Sequence, residues 1–158
     1  MFNIHGLVPE LWCSDFDASL RFYTNVLGFS VTQRRGTDLH AYLERGSAQL
    51  MIAHWVQDGV WEPAPLERPY GRGVNFFIWV EDVHALYEHV LAADVRPFVK
   101  LHTRCYWRTD RMDERTEFGL LDPDGYLLRF SQADPPHRPV ESSDLDALDR
   151  KTGDVRRA

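Results

Sequence analysis

One succession of patterns occurs twice along this chain. Two amphipathic stretches open on aspartates 67 residues apart, at Asp15 and Asp82. The first carries Phe16, Leu20, Tyr23 and Leu27 at three-to-four-residue spacing and stops at Gly28; the second carries Val83, Leu86, Tyr87, Val90 and Leu91 on one stripe. An aspartate before an apolar-periodic run is a helix N-cap, and a glycine after it is a natural stop, so both stretches predict helices. Strand-like runs surround each helix in the same order. Residues 6–13 precede the first, and 30–33, 39–44 and 48–53 follow it. Residues 74–80 precede the second, and 96–99, 116–121 and 126–130 follow it. The final two runs are joined by Asp122-Pro123-Asp124-Gly125, a strong turn signal. A β-α-β-β-β order read twice predicts an internal structural repeat.

The fold expected from this is α+β, two βαβββ modules of about residues 6–54 and 73–132 with a Gly/Pro-containing connector, 55–72. They make one domain, 1–132. Beyond it, residues 133–158 hold three prolines, no aromatic residue and eleven charges, which predicts a charged, flexible tail.

Side chains alternate across a strand, so parity sorts the faces. Val74, Phe76, Ile78 and Val80 are apolar throughout, as are Leu50 with Ile52, Phe118 with Leu120, and Leu128 with Phe130. These are expected to pack beneath the helices. The opposite parity is mixed: Glu10 and Trp12, Gln49 and Met51, then Asn75, Phe77 and Trp79, with Glu117 and Arg129 from the last strands. Aromatics interleaved with a few polar groups, on a sheet face no helix covers, describe a ligand cavity. An ordinary surface or a dimer face is the alternative at this stage.

Composition removes several other classes. A hydrophobic share of 44% with 13% aromatics excludes a wholly disordered chain. The formal charge of −6, with no lysine/arginine-rich stripe, speaks against nucleic acid as a partner. No apolar run approaches the ~20 residues that cross a bilayer, and the N-terminus lacks a secretory pattern, so no membrane partner and a cytoplasmic location are expected. Two cysteines, Cys13 and Cys105, are too few for a disulfide framework or a cysteine-built zinc site.

The run from Asp15-Phe16-Asp17-Ala18-Ser19-Leu20-Arg21-Phe22-Tyr23 to Val26-Leu27-Gly28-Phe29 resembles the vicinal oxygen chelate superfamily. So do Gly71-Arg72-Gly73-Val74-Asn75-Phe76 and Asp122-Pro123-Asp124-Gly125-Tyr126-Leu127-Leu128-Arg129-Phe130, and together they cover residues 6–132. That superfamily includes glyoxalase I, extradiol dioxygenases, fosfomycin-modifying enzymes and bleomycin-resistance proteins. The resemblance implies cupped mixed sheets with the helices on their outer face. Its metal enzymes carry one ligand on each of four strands, at positions matching Val8, Met51, Asn75 and Arg129 here. Valine has no donor atom and arginine is a fixed cation, so no metal and no cofactor are expected.

Loss of those ligands, with Val8-Pro9-Glu10-Leu11 in the first strand, resembles the bleomycin-resistance branch. Members of that branch are intertwined homodimers that sequester a cationic glycopeptide drug without altering it, in crevices between subunits. The resemblance therefore implies a binding protein with no catalytic residues, whose favoured ligand is a cationic aromatic drug of the bleomycin class. Trp12, Phe77 and Trp79 would stack on flat rings, with Tyr106 and Trp107 available from a loop. Glu10 and Glu117 would attract cationic groups, and Met51, Asn75 and Arg129 complete the expected site. Arg129 is expected either to pair with Glu10 or Glu117 or to clamp an anion. The alternative is an enzyme of the same fold acting on a small metabolite, without metal or with a displaced metal site.

Overall fold

The computed structural model describes residues 4–35, 39–56, 61, 64–107 and 112–133. The expected tail therefore lies outside the described residues beyond Ala133. The first module runs β1 (Glu10–Cys13), α1 (Phe16–Arg21), a wider π-helical segment (Phe22–Val26), β2 (Ser30–Arg34), β3 (His40–Arg45) and β4 (Ala48–His54). The second runs β5 (Asn75–Trp79), α2 (Val83–Ala92), β6 (Val99–Trp107), β7 (Met112–Leu121) and β8 (Leu127–Ala133). Each module makes a four-stranded mixed sheet, ordered β1-β4-β3-β2 and β5-β8-β7-β6. In both, the strand before the helix pairs in parallel with the module's last strand. The repeat read from the sequence is thus a repeat of topology.

Local chemistry explains the helix starts. The Asp15 carboxylate accepts from the Ala18 N–H at 2.9 Å, and Asp82 accepts from Ala85 at 2.8 Å. The expected inner face is also observed. Leu50, Ile52, Ile78, Phe118, Leu120, Leu128 and Phe130 are buried together with Phe16, Tyr23, Leu27, Val83, Leu86 and Val90. Each large apolar side chain so buried contributes roughly 1.5–3 kcal/mol. Val74 departs from the expectation: it is half-exposed, because β5 begins at Asn75 and Val74 closes the preceding turn on Gly71.

The longest departure concerns Tyr106 and Trp107, expected on a loop. Residues 99–107 form β6, which pairs with β7 from Val99↔Gly119 to Trp107↔Met112. The strand was hidden because β6 is an edge strand whose Lys100, Thr103, Arg104 and Cys105 are exposed, so it lacks apolar alternation. His102 is part of it.

The final turn locks the modules together. Asp122 accepts from the backbone of Asp124 and Tyr126, and the Tyr23 hydroxyl of the first module donates to it at 2.8 Å. Burial pushes the Asp122 carboxyl above its usual range despite these donors. Asp124 accepts from the Ser14 amide and hydroxyl and from Arg68 at 2.7 Å. Gly125 sits at φ +94°, and a Cβ there would lie 2.5 Å from Pro69.

Candidate functional site

The outer face of each sheet carries its helix, and the opposite face is open. Two cavities lie on these open faces, one per module, and no helix residue lines either of them.

On the first module a cavity of about 660 Å³ is lined by Glu10, Trp12, His40, Tyr42, Met51 and Trp61, among others. Strand register brings them together: Glu10 is level with Met51, and Met51 with Tyr42. His40 opens β3, is buried, and places its Nε2 3.3 Å from Glu10 Oε1. The Tyr42 ring stands edge-on to the imidazole, with centroids 5.2 Å apart. His40 was not among the residues expected at the site. The alternation His40, Tyr42, Glu44 along one face of β3 is the signal that would have placed it here. His54 also lines this cavity, from the last position of β4, where the strand ends and alternation no longer fixes direction.

On the second module the open face is organised around Glu117, which is buried. Arg129 grips it with two nitrogens: Nε donates to Oε2 at 3.1 Å, and Nη2 approaches Oε1 at 2.8 Å and Oε2 at 2.6 Å. The Tyr106 hydroxyl donates to Glu117 Oε1 at 2.8 Å and accepts from Arg129 Nη2 at 2.6 Å. Burial alone would raise the Glu117 carboxyl, but the Arg129 and Tyr106 hydrogen bonds and the Arg129 charge outweigh it and hold it low. Burial and the adjacent Glu117 push the Tyr106 phenol up, so it stays a donor.

Two of the expected ligand-binding groups already have partners within the chain. Glu117 has no lone pair left for a cationic ligand, because its carboxylate is spent on Arg129 and Tyr106. The aromatic faces are also partly taken. The Arg129 guanidinium lies 4.9 Å from the Phe77 ring centre, and that of Arg115 lies 5.1 Å from Trp79 and 4.9 Å from Tyr106. Next to these groups is a cavity of about 340 Å³ lined by Val99, His102, Arg104, Tyr106, Glu117, Phe118, Gly119, Leu127 and Arg129.

The expected site residues therefore divide. Glu10, Trp12 and Met51 share the first module's cavity. Tyr106, Glu117 and Arg129 line the second's, and Phe77 and Trp79 stand beside them under the two arginines. Asn75 is exposed at the start of β5 and lines neither cavity, and the Trp107 side chain lies outside the described residues. A further cavity of about 630 Å³ draws on both modules, with Glu44 and Arg45 from the first and Trp79 and Asp82 from the second. Cys13 is buried among the core residues, and burial pushes its thiol up to about 12, so it is no nucleophile.

The four positions that hold metal in the enzymes named above do not fit one here. Val8 has no donor, and Arg129 is committed to Glu117. Among the described residues no group of three or more His, Cys, Asp or Glu side chains is placed to hold an ion. No helix among them is long and apolar enough to cross a membrane.

Residues 4–130 match the model of the Glyoxalase/Bleomycin resistance protein/Dioxygenase superfamily. A member of that superfamily from Vibrio splendidus 12B01 is 34% identical, over 80% of this chain and 97% of its own, with a TM-score of 0.38. TioX from Micromonospora sp. ML1 is 22% identical over 85% and 100%, with a TM-score of 0.60. Lactoylglutathione lyase from Agrobacterium tumefaciens is 13% identical over 80% and 92%, with a TM-score of 0.54. Comparison with curated proteins gives no match. With a family model spanning most of its length, the chain belongs to the glyoxalase/bleomycin resistance protein/dioxygenase superfamily.

Proposed function

We propose that this protein binds and sequesters a flat aromatic small molecule without altering it, and does so without a metal ion. The observation that carries this reading is the Arg129–Glu117 pair: it fills the place where a metal enzyme needs a ligand, and leaves open faces of aromatic and polar side chains around it. Such faces bind flat rings by burying apolar area, with a few polar groups fixing orientation.

The reading includes a homodimer in which the first module of one chain meets the second module of its partner. Their charges suit that pairing. Glu10 and Glu44 make the first face acidic, with Arg35 at its rim, while Arg104, Arg115 and Arg129 outnumber Asp113 and Glu117 on the second.

A glycopeptide of the bleomycin class is the first ligand to try, in metal-free and copper-loaded forms. Trp12, Trp61 and Trp79 stand on or beside the open faces, so tryptophan fluorescence reports occupancy. Saturable quenching with the drug recovered unchanged supports sequestration. Unaltered fluorescence with both forms removes this drug class and leaves other flat aromatic ligands.

The Glu10–His40 contact favours a second reading, an acid–base enzyme acting through Glu10 in the first module's cavity. Turnover of a small-metabolite panel that disappears in Glu10→Gln would select it over sequestration.

A further inference from the structure

Arg115 reaches the open face of the second module from β7. Its guanidinium carbon lies 5.1 Å from the Trp79 ring centre, 4.9 Å from Tyr106 and 5.9 Å from Phe77. Phe77 and Trp79 brace each other edge to face, with centroids 5.1 Å apart. The Arg115 side chain keeps only 17% of its surface exposed, and its nearest acid, Asp113, is 3.8 Å away, too far for a hydrogen bond. Ring faces attract the positive charge but accept few of the five N–H groups an arginine offers.

The strand pairing then sets a second cation beside the first. Arg104 of β6 is the direct register partner of Arg115, so both project from the same face. Like charges directly opposite each other across antiparallel strands destabilise the sheet. No hydrogen bond joins either guanidinium to an acceptor among the described residues. The neighbouring Arg129 differs, since Glu117 already neutralises it. The imidazole of His102, also on this face, has its Nε2 3.5 Å from Glu117.

We infer that Arg104 and Arg115 form an anion clamp and that the small molecule held on this face is an aromatic acid. The inference rests on the binding reading above and narrows its ligand class. Two guanidiniums with unspent N–H groups match a carboxylate. The adjoining cavity supplies the rest of the recognition, because Val99, Phe118 and Leu127 make part of its wall apolar while Arg104 and Arg129 line another part. At about 340 Å³ it lies at the small end of small-molecule sites, which suits a body of one or two rings. The aromatic faces of Phe77 and Trp79 thus carry the protein's own cation, in place of a cationic group from outside.

Calorimetric titration of the full chain with 1-naphthoate, 1-naphthamide and 1-naphthylmethylammonium tests this, since the three differ chiefly in charge. The acid is expected to bind about tenfold or more tightly than the amide, and the ammonium more weakly still. Arg104→Gln and Arg115→Gln should each bring the acid close to the amide. Arg104 is exposed, so its variant keeps the test sound if Arg115→Gln fails to fold. Binding of all three without discrimination, or discrimination that survives Arg104→Gln, overturns the clamp and leaves aromatic binding intact. Binding of none overturns ligand binding on this face altogether, and the clamp with it.

Discussion

Arg129 Nη2 stands 2.6 Å from Glu117 Oε2, joining two neighbouring strands at a position where metal enzymes of this superfamily place a ligand. The residue that the resemblance marks as a lost metal ligand is therefore the partly exposed cation of an ion pair with buried Glu117, closed on its other side by Tyr106.

Breaking that pair from one side leaves a charge with no partner in a poorly hydrated place. Arg129→Ala strands the Glu117 carboxylate and is expected to lower unfolding free energy by about 2–4 kcal/mol; partial exposure of Arg129 keeps it below the full cost of an uncompensated buried ion. Glu117→Gln keeps the shape and one acceptor oxygen, turns the other into an NH2 that faces donors, and leaves the partly exposed Arg129 without a counter-charge; it should cost less than stranding a buried carboxylate. The pH dependence follows from the depressed Glu117 carboxyl. A carboxyl held lower in the folded state than in the unfolded one stabilises the fold above its unfolded pKa, and loses that stabilisation as pH falls through the folded value. Urea midpoints should therefore show the gap between wild type and Glu117→Gln shrinking on acidification below the ordinary carboxylate range. A gap that stays constant from pH 7 downward would contradict the pairing.

The module junction gives a second expectation. Tyr23 is fully buried and its hydroxyl crosses from one module to the other to reach Asp122, so Tyr23→Phe removes a donor from a buried carboxylate. A loss of about 1–3 kcal/mol is expected. Gly125→Ala adds a Cβ against Pro69 to a strained positive φ, and should cost at least as much. Denaturant midpoints with unchanged m-values would place both effects in stability alone.

The cysteines separate by accessibility. Cys105 is exposed on β6, whereas Cys13 is buried with its thiol held near 12. Iodoacetamide at pH 8 is expected to label Cys105 readily and Cys13 only under unfolding conditions. Mass mapping of the alkylated peptides checks this, and rapid native labelling of Cys13 would show that the core around β1 opens.

Most of the fold was legible because helices and inner strands advertise themselves by burial. Asp15 and Asp82 cap helices as their types predict, and Leu50, Ile52, Phe118 and Phe130 alternate as a buried face must. Most of β6 was not legible: the expected strand over 96–99 meets it only at Val99, and beyond Leu101 this edge strand has no apolar alternation, its register being set by β7. The candidate site was legible as a set of residues and illegible as a geometry. Parity put Glu117, Arg129, Phe77 and Trp79 on one face, but only distances reveal that Glu117 is spent on Arg129 and that Arg115 shares the aromatic faces. His40 escaped because its role depends on Glu10, thirty positions earlier in the chain and two strands away in the sheet.

The proposed dimer makes the last prediction, because each crevice would take Trp12 from one chain and Trp79 from the other. Trp12→Ala damages both crevices of a homodimer through the first module's face, and Trp79→Ala damages both through the second's. In a mixed dimer the two lesions fall in the same crevice. The remaining crevice joins the intact first module of the Trp79→Ala chain to the intact second module of the Trp12→Ala chain. Unfolding and refolding an equal mixture should therefore restore wild-type affinity in about a quarter of the sites, given random pairing of chains in a two-fold dimer. Refolding each variant alone should restore none. Fluorescence titration with the aromatic probe that binds wild type reads the recovered fraction. If each chain built its crevice from its own two modules, every site in the mixture would still carry one lesion, so absence of recovery would place both faces of a crevice in a single chain.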